Sequence, residues 1–214
     1  MSPKTKTKTT PKTSGDVKDE LTNEVTIRGN VVRMFVQSKV CFITVAATNP
    51  ITKKTDFPRI AVFDKELIKK ASETLTKGSR VTMHCVIQTS KKLKGKDVTI
   101  VCESFDKEND RLEAAFNATP YYTDLNECLL KGTVVHVFEA TPTCTLLTVM
   151  VKRDGRTAIP TIVCFGNVSN KAKKASLQSK ICVLGYIQTG FKSSNNSEKK
   201  VFRQSVVAQS IKFI

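Results

Sequence analysis

Two kinds of side chain able to grip a ligand recur in the polar stretches of this 214-residue chain. The first is clustered cations: Lys53, Lys54 and Arg59; Lys91, Lys92, Lys94 and Lys96; Lys152, Arg153 and Arg156; and Lys192, Lys199, Lys200 and Arg203. The second is isolated rings, Phe57, Phe63, Phe165 and Phe191, with Tyr186 as a further candidate. Cations follow a row of phosphates and flat rings stack on bases, the pairing that binding an unpaired nucleic-acid strand requires. Any one lysine is equally well a solvated hairpin tip; the sets are the signal. Phe63 and Phe165 lie on apolar runs, where core packing competes with a stacking role, and the sequence leaves both readings open. Phe191 sits in a polar loop with no expected strand partner and fits a platform.

Other chemistries find little support. His84 and His136 are the only histidines, each alone on an expected strand with no cysteine or carboxylate at ligand spacing, so no metal site is expected. No glycine-rich phosphate loop, GxSxG or HExxH is present, and neither catalysis nor a cofactor is expected. The seven cysteines form no CxxC pair and lie mostly in apolar runs, as small buried hydrophobes in a reducing compartment would. No signal peptide and no apolar run of bilayer length are seen, so the expectation is a soluble intracellular protein without a membrane partner.

The elements that would position these residues occur twice. Asn23-Glu24-Val25 is answered by Asn126-Glu127-Cys128, Arg28-Gly29 by Lys131-Gly132, and Phe35 by Phe138. Farther on, Phe57-Pro58 is answered by Ile159-Pro160 and Phe63 by Phe165. Ile87-Gln88-Thr89 recurs unchanged as Ile187-Gln188-Thr189. In the first copy, alternation and β-branched residues predict strands over Val25–Met34, Val40–Ala47, Arg59–Phe63, Arg80–Thr89 and Val98–Phe105. Leu67, Ile68, Ala71 and Leu75 share one helical face, which predicts a helix over Lys65–Thr76 ended by Gly78. A helix between strands three and four of five is the order of the OB fold, an all-β barrel. The predicted architecture is therefore two tandem five-stranded OB barrels, at 23–105 and 124–214. A Lys/Thr/Pro arm (1–22) precedes them, and a linker (106–123) with a helical turn near Arg111–Phe116 joins them.

The net charge of +16 is distributed in keeping with this division. Each repeat carries +8, with 15 basic and 7 acidic residues in 23–105 and 13 and 5 in 124–214, whereas the linker is net acidic. Charge present only for solubility has no reason to fall so, and a polyanionic partner accounts for it.

Thr44-Val-Ala-Ala-Thr-Asn49, Pro58-Arg-Ile-Ala-Val-Phe63, Lys77-Gly-Ser-Arg-Val81 and Ile87-Gln-Thr89 resemble successive strands of the bacterial-type single-stranded-DNA-binding proteins. The second copy keeps Pro160-Thr-Ile-Val-Cys-Phe-Gly166, Ser179-Lys-Ile-Cys-Val183 and Ile187-Gln-Thr189. The resemblance implies sequence-tolerant coating of single-stranded DNA in replication, recombination or repair. It makes Phe57, Phe63, Phe165 and Phe191 the counterparts of base-stacking positions. It also implies assembly to four OB domains, here as a homodimer, and the apolar outer-face run Cys182, Leu184, Tyr186 would suit either a second chain or the other barrel. Two departures stand out. The chain has no tryptophan, with Ile159 at the position answering Phe57, and it has no acidic C-terminal tail of the kind that recruits partners in that family. An RNA-binding OB protein and an OB-fold interaction scaffold are the alternatives.

Overall fold

The computed structural model describes residues 22–49, 53–89, 98–108, 124–194 and 197–214. The expected arm short of Thr22, the lysine-rich hairpin Ser90–Lys96 and the helical turn at Arg111–Phe116 lie outside the described residues. The first half forms β1 (Asn23–Gln37), β2 (Val40–Thr48), β3 (Thr55–Asp56), β4 (Arg59–Val62), α1 (Lys65–Thr74), β5 (Arg80–Thr89) and β6 (Val98–Lys107). The second repeats the order as β7 (Leu125–Thr141), β8 (Cys144–Arg153), β9 (Arg156–Ala158), β10 (Thr161–Phe165), α2 (Gly166–Ala172), β11 (Lys180–Ser194) and β12 (Ser197–Phe213).

Each half closes on itself. β1 pairs with β2 and β5, β5 with β6, β6 runs parallel to β4, and β4 returns to β2. β7, β8, β10, β12 and β11 close the same way. This is the OB-fold barrel expected from the strand order, formed twice. Alternation sets the cores: Ile43, Val45 and Ala47 of β2 point inward, as do Val81, Met83, Cys85 and Ile87 of β5. α1 begins at Asp64, whose carboxylate accepts the Leu67 N–H (2.9 Å), and buries Ala71 against the first barrel. One expectation is corrected. β11 and β12 are long strands paired out to Ser194 and Ser197, so Phe191 is not in an unpaired loop but directly opposite Phe202.

A closed barrel demands that β1 serve two ladders, bending from β5 to β2 midway. Gly29 stands at that bend: a Cβ there would lie 2.0 Å from the Ala46 carbonyl oxygen. Gly132 has the same role in β7, where a Cβ would fall 2.4 Å from the Met150 carbonyl oxygen.

The barrels also share a ladder. β1 and β7 pair antiparallel, with Val25 opposite Cys128, Asn23 opposite Leu130 and Ile27 opposite Asn126. Because Asn126 and Leu130 are the counterparts of Asn23 and Ile27, this register places a pseudo-twofold axis at Val25 and Cys128. Asn23 uses its side-chain amide to accept the Ile87 N–H and donate to the Ile87 carbonyl, each at 2.9 Å. Asn126 does the same with Ile187, at 2.9 and 2.8 Å. The two asparagines thus extend each barrel's ladder by one rung where β1 and β7 turn toward each other. The buried apolar residues of the two barrels form one continuous cluster.

The described ends of the connection between barrels meet at one guanidinium. Arg80 pairs with Asp124 (2.6 Å) and with Glu108 (3.5 Å), and Glu108 also pairs with Arg28 (2.8 Å). Asp124 in turn accepts the Thr48 N–H at 2.8 Å.

Gly29→Ala is expected to destabilise the protein by about 3 kcal/mol, because strands β1 and β2 must part to admit the methyl group. The check is urea unfolding, where the midpoint should fall with no change in the slope.

Candidate nucleic-acid interface

Residues opposite one another in register share a face of the sheet, so the pairings give the outer surface of each barrel row by row. In the first barrel one row is Arg33, Thr44, Arg59 and the next is Phe35, Phe42, Ala61. In the second barrel the same rows are His136, Thr148, Thr161 and Phe138, Leu146, Val163. Phe63 and Phe165 follow at the ends of β4 and β10.

The rings expected on this face are exposed. Phe63 is 51% and Phe165 50% exposed, which decides against core packing for both, and Phe57 (43%) and Phe191 (69%) are likewise open to solvent. Fully closed barrels do not need large apolar groups outside, so rings held there repeatedly point to contact with something flat and apolar. Two rings that sequence reasoning did not select belong with them, Phe35 (50%) and Phe138 (53%). Their signal was in the sequence: Met34-Phe35-Val36 and Val137-Phe138 put apolar residues on both faces of one strand.

The cations divide into four groups. Arg59, Lys152, Arg156 and Arg203 are exposed on described strands, and Lys53 and Lys54 are exposed at the β2–β3 turn, where the Lys53 N–H donates to the Asn49 carbonyl. Lys91, Lys92, Lys94 and Lys96 lie outside the described residues. Lys192, Lys199 and Lys200 are carried on the β11–β12 ladder, and their side chains also lie outside what is described. Arg153 holds the barrels together instead of facing outward. It donates to the Asn23 carbonyl (2.8 Å) and pairs with Glu103 (3.1 Å) and Asp154 (3.5 Å). Its loop spacing resembled that of Lys152 and Arg156, and the approach of β1 to the end of β8 gives it a different task.

The β11–β12 hairpin of the second barrel lies across the first. The Phe57 N–H donates to Thr189 Oγ1 (2.9 Å), and the Thr189 N–H donates to Asp56 Oδ1 (2.8 Å). Gln204, opposite Thr189, accepts the Arg59 N–H (3.1 Å) and donates to the carbonyls of Arg59 (3.2 Å) and Val98 (3.0 Å). Just beyond, the Arg59 guanidinium stacks on the Phe202 ring (4.7 Å), which meets Phe191 edge-on at 5.8 Å. Phe202 is thus a third ring missed in the sequence, visible only once the register opposite Phe191 is known. Tyr186 is half-buried, and burial and the Asp56 carboxylate push its hydroxyl above the ordinary tyrosine range. It borders the first barrel and is not an open platform.

The cysteines are all free, and five are buried. Burial pushes the thiols of Cys128 and Cys164 up to about 12 and raises those of Cys41 and Cys85. Among the described residues no cluster of metal-ligating side chains occurs, and no helix is long and apolar enough to cross a membrane.

The geometry defines the class: an OB-fold protein of two barrels sharing one sheet, with rings and cations on their outer faces. Among solved structures, the wild-type single-stranded DNA binding protein from Thermus aquaticus is similar over 91% of this chain and 94% of its own, with a TM-score of 0.64 and 13% identity. A deletion variant of that protein matches over 91% and 95%, with a TM-score of 0.63 and 16% identity. At such identity the likeness is one of fold, and it spans both barrels. No protein-family model and no curated relative matches the sequence.

Because a buried thiol is closed to reagent, a small thiol reagent at pH 8 is expected to modify Cys144 and Cys182, which are half-exposed, and to spare the other five until the protein is unfolded. Mass spectrometry of the labelled peptides checks this.

Proposed function

We propose that this protein binds single-stranded DNA without regard to sequence, bases stacking on the outer rings and phosphates following the arginines and lysines around them. The observation that carries the reading is the repeated exposure of phenylalanine on the OB faces, Phe35, Phe57 and Phe63 in one barrel and Phe138 and Phe165 in the other, in a chain of net charge +16. A protein-interaction scaffold would not require both barrels to be basic around exposed rings. The likeness in fold to the single-stranded DNA binding protein from Thermus aquaticus adds support. In this reading the two barrels arose by duplication, and the protein covers strands exposed in replication, recombination or repair within a reducing cell interior. RNA is the competing ligand, since stacking platforms accept either sugar.

The same reading extends to assembly as a homodimer with four barrels. Leu184 is 41% exposed on the outer face of β11, beside the half-buried Leu129 of β7, an apolar surface that a second copy would cover. Sedimentation equilibrium should return twice the 23.7 kDa chain mass, and a monomer at micromolar concentration would discard the dimer.

The function is tested by fluorescence anisotropy with labelled oligo-dT of about 30 nucleotides, a length of several OB site sizes. Duplex DNA and RNA serve as competitors across a salt series. Binding is expected to resist duplex and to fall steeply with salt. Arg59→Ala should flatten the log–log salt slope by about 0.7, the increment of one single-strand phosphate contact. RNA outcompeting dT would transfer the protein to RNA binding, and absence of binding at low salt would reject the proposal.

A further inference from the structure

The two barrels repeat one another in strand order, but among the described residues their hairpin strands make different contacts with the neighbouring barrel. The β11–β12 hairpin is pinned to the first barrel by Thr189 and Gln204, through hydrogen bonds to Asp56, to the backbone of Phe57 and Arg59, and to the Val98 carbonyl. Among the described residues the reciprocal contact is one bond, from the Ile159 N–H to Thr89 Oγ1 at 2.9 Å. The residues that would complete it are changed. Ala158 stands where Asp56 does, and Val98, opposite Thr89, stands where Gln204 does. Neither side chain can donate or accept a hydrogen bond.

The side chains around the pinned hairpin differ in the same direction. Phe57 and Arg59 in the first barrel are matched by Ile159 and Thr161 in the second, and Arg33 by His136. Among the described residues it is the first barrel that combines a ring, a guanidinium and a docked hairpin bringing two more rings, Phe191 and Phe202.

Resting on the single-strand reading above, we infer that Phe57 and Arg59 of the first barrel and Phe191 and Phe202 of the second form one composite base-stacking subsite across the barrel boundary, with Thr189 and Gln204 as its positioning residues. The exposed Phe191 and Phe57 offer faces to bases. Arg59, held flat over Phe202, keeps its charge at the edge of the stack, within reach of a phosphate. Pinning the hairpin before the strand arrives removes the ordering cost that a free arm would meet on binding. The face of the second barrel, with Phe138 and Phe165 but no arginine in the corresponding rows, is the weaker contact. A strand entering the composite subsite touches both barrels at once, so one binding event engages the whole chain.

The test uses the full chain, oligo-dT anisotropy, and ultraviolet cross-linking of dT followed by mass spectrometry of the linked peptides. Phe191→Ala is expected to weaken binding about ten-fold, within the range for losing one stacked base. Gln204→Leu keeps every ring yet loses the pin; it should weaken binding about five-fold and lower the cross-link yield at the Phe191 and Phe202 peptides. Thr89→Val, which removes the described bond of the other hairpin to Ile159, should alter affinity less than two-fold. Melting temperatures of each variant separate a positioning effect from loss of fold. Cross-links spread evenly between Phe191/Phe202 and Phe138/Phe165 would overturn the inference. So would Gln204→Leu lowering the melting temperature with affinity unmoved. Wild-type protein that binds no dT at all rejects the single-strand reading itself, a result seen before any variant is made.

Discussion

The antiparallel pairing of β1 with β7 is the constraint on which the rest of the molecule depends. Residues 25–28 of β1 already pair with β5 on one side, and without β7 their other side would be an open edge of unpaired backbone groups. Residues 128–130 of β7, paired with β11 on one side, face the same problem. Each barrel's exposed edge is the other's missing neighbour, and joining them makes one continuous sheet. From that single register follow the pseudo-twofold axis, the merged core and the angle at which β11 and β12 reach over the neighbouring barrel. The hairpin contacts at Asp56, Phe57 and Arg59 are consequences of this pairing.

Most of the barrel architecture was legible in the chain because it is governed by local rules. Period-two alternation, the amphipathic run to Leu75 and the stop at Gly78 placed strands and helix within a few residues of where they lie. The repeat supplied the rest, since Asn23 and Asn126 announce the same structural job before either is seen. What the sequence did not yield were contacts between barrels. Arg153 looks like any cation beside a turn until Glu103 and the Asn23 carbonyl are brought to it from two strands of the other barrel. Phe202 and Gln204 alternate on β12 as ordinary strand residues, and nothing local marks one as a ring under Arg59 or the other as a clasp on β4.

Phe63 and Phe165 illustrate the boundary between the two kinds of information. Their neighbours Val62 and Cys164 are fully buried, so each ring comes one residue after an inward-pointing position, just where a strand ends. Periodicity alone would put the ring outside, yet hydrophobicity would put it in. The closed barrel decides the matter, because its interior is already filled by residues such as Ile43, Ile60 and Ile100 and offers no room for another large side chain.

The clasp at Arg80 bears on how the chain is wired. Glu108 and Asp124, where the connection between barrels departs and returns, are both tied to the same guanidinium, so the connecting segment begins and ends at one place on the first barrel. Its length therefore does not set the spacing of the barrels, which the shared sheet already fixes. Closing a longer loop on fixed ends adds only about 0.6 kcal/mol for each doubling of length. The segment from 109 to 123 is thus free to vary in size and composition over evolutionary time, and it is the natural place for a new module to enter without disturbing either barrel.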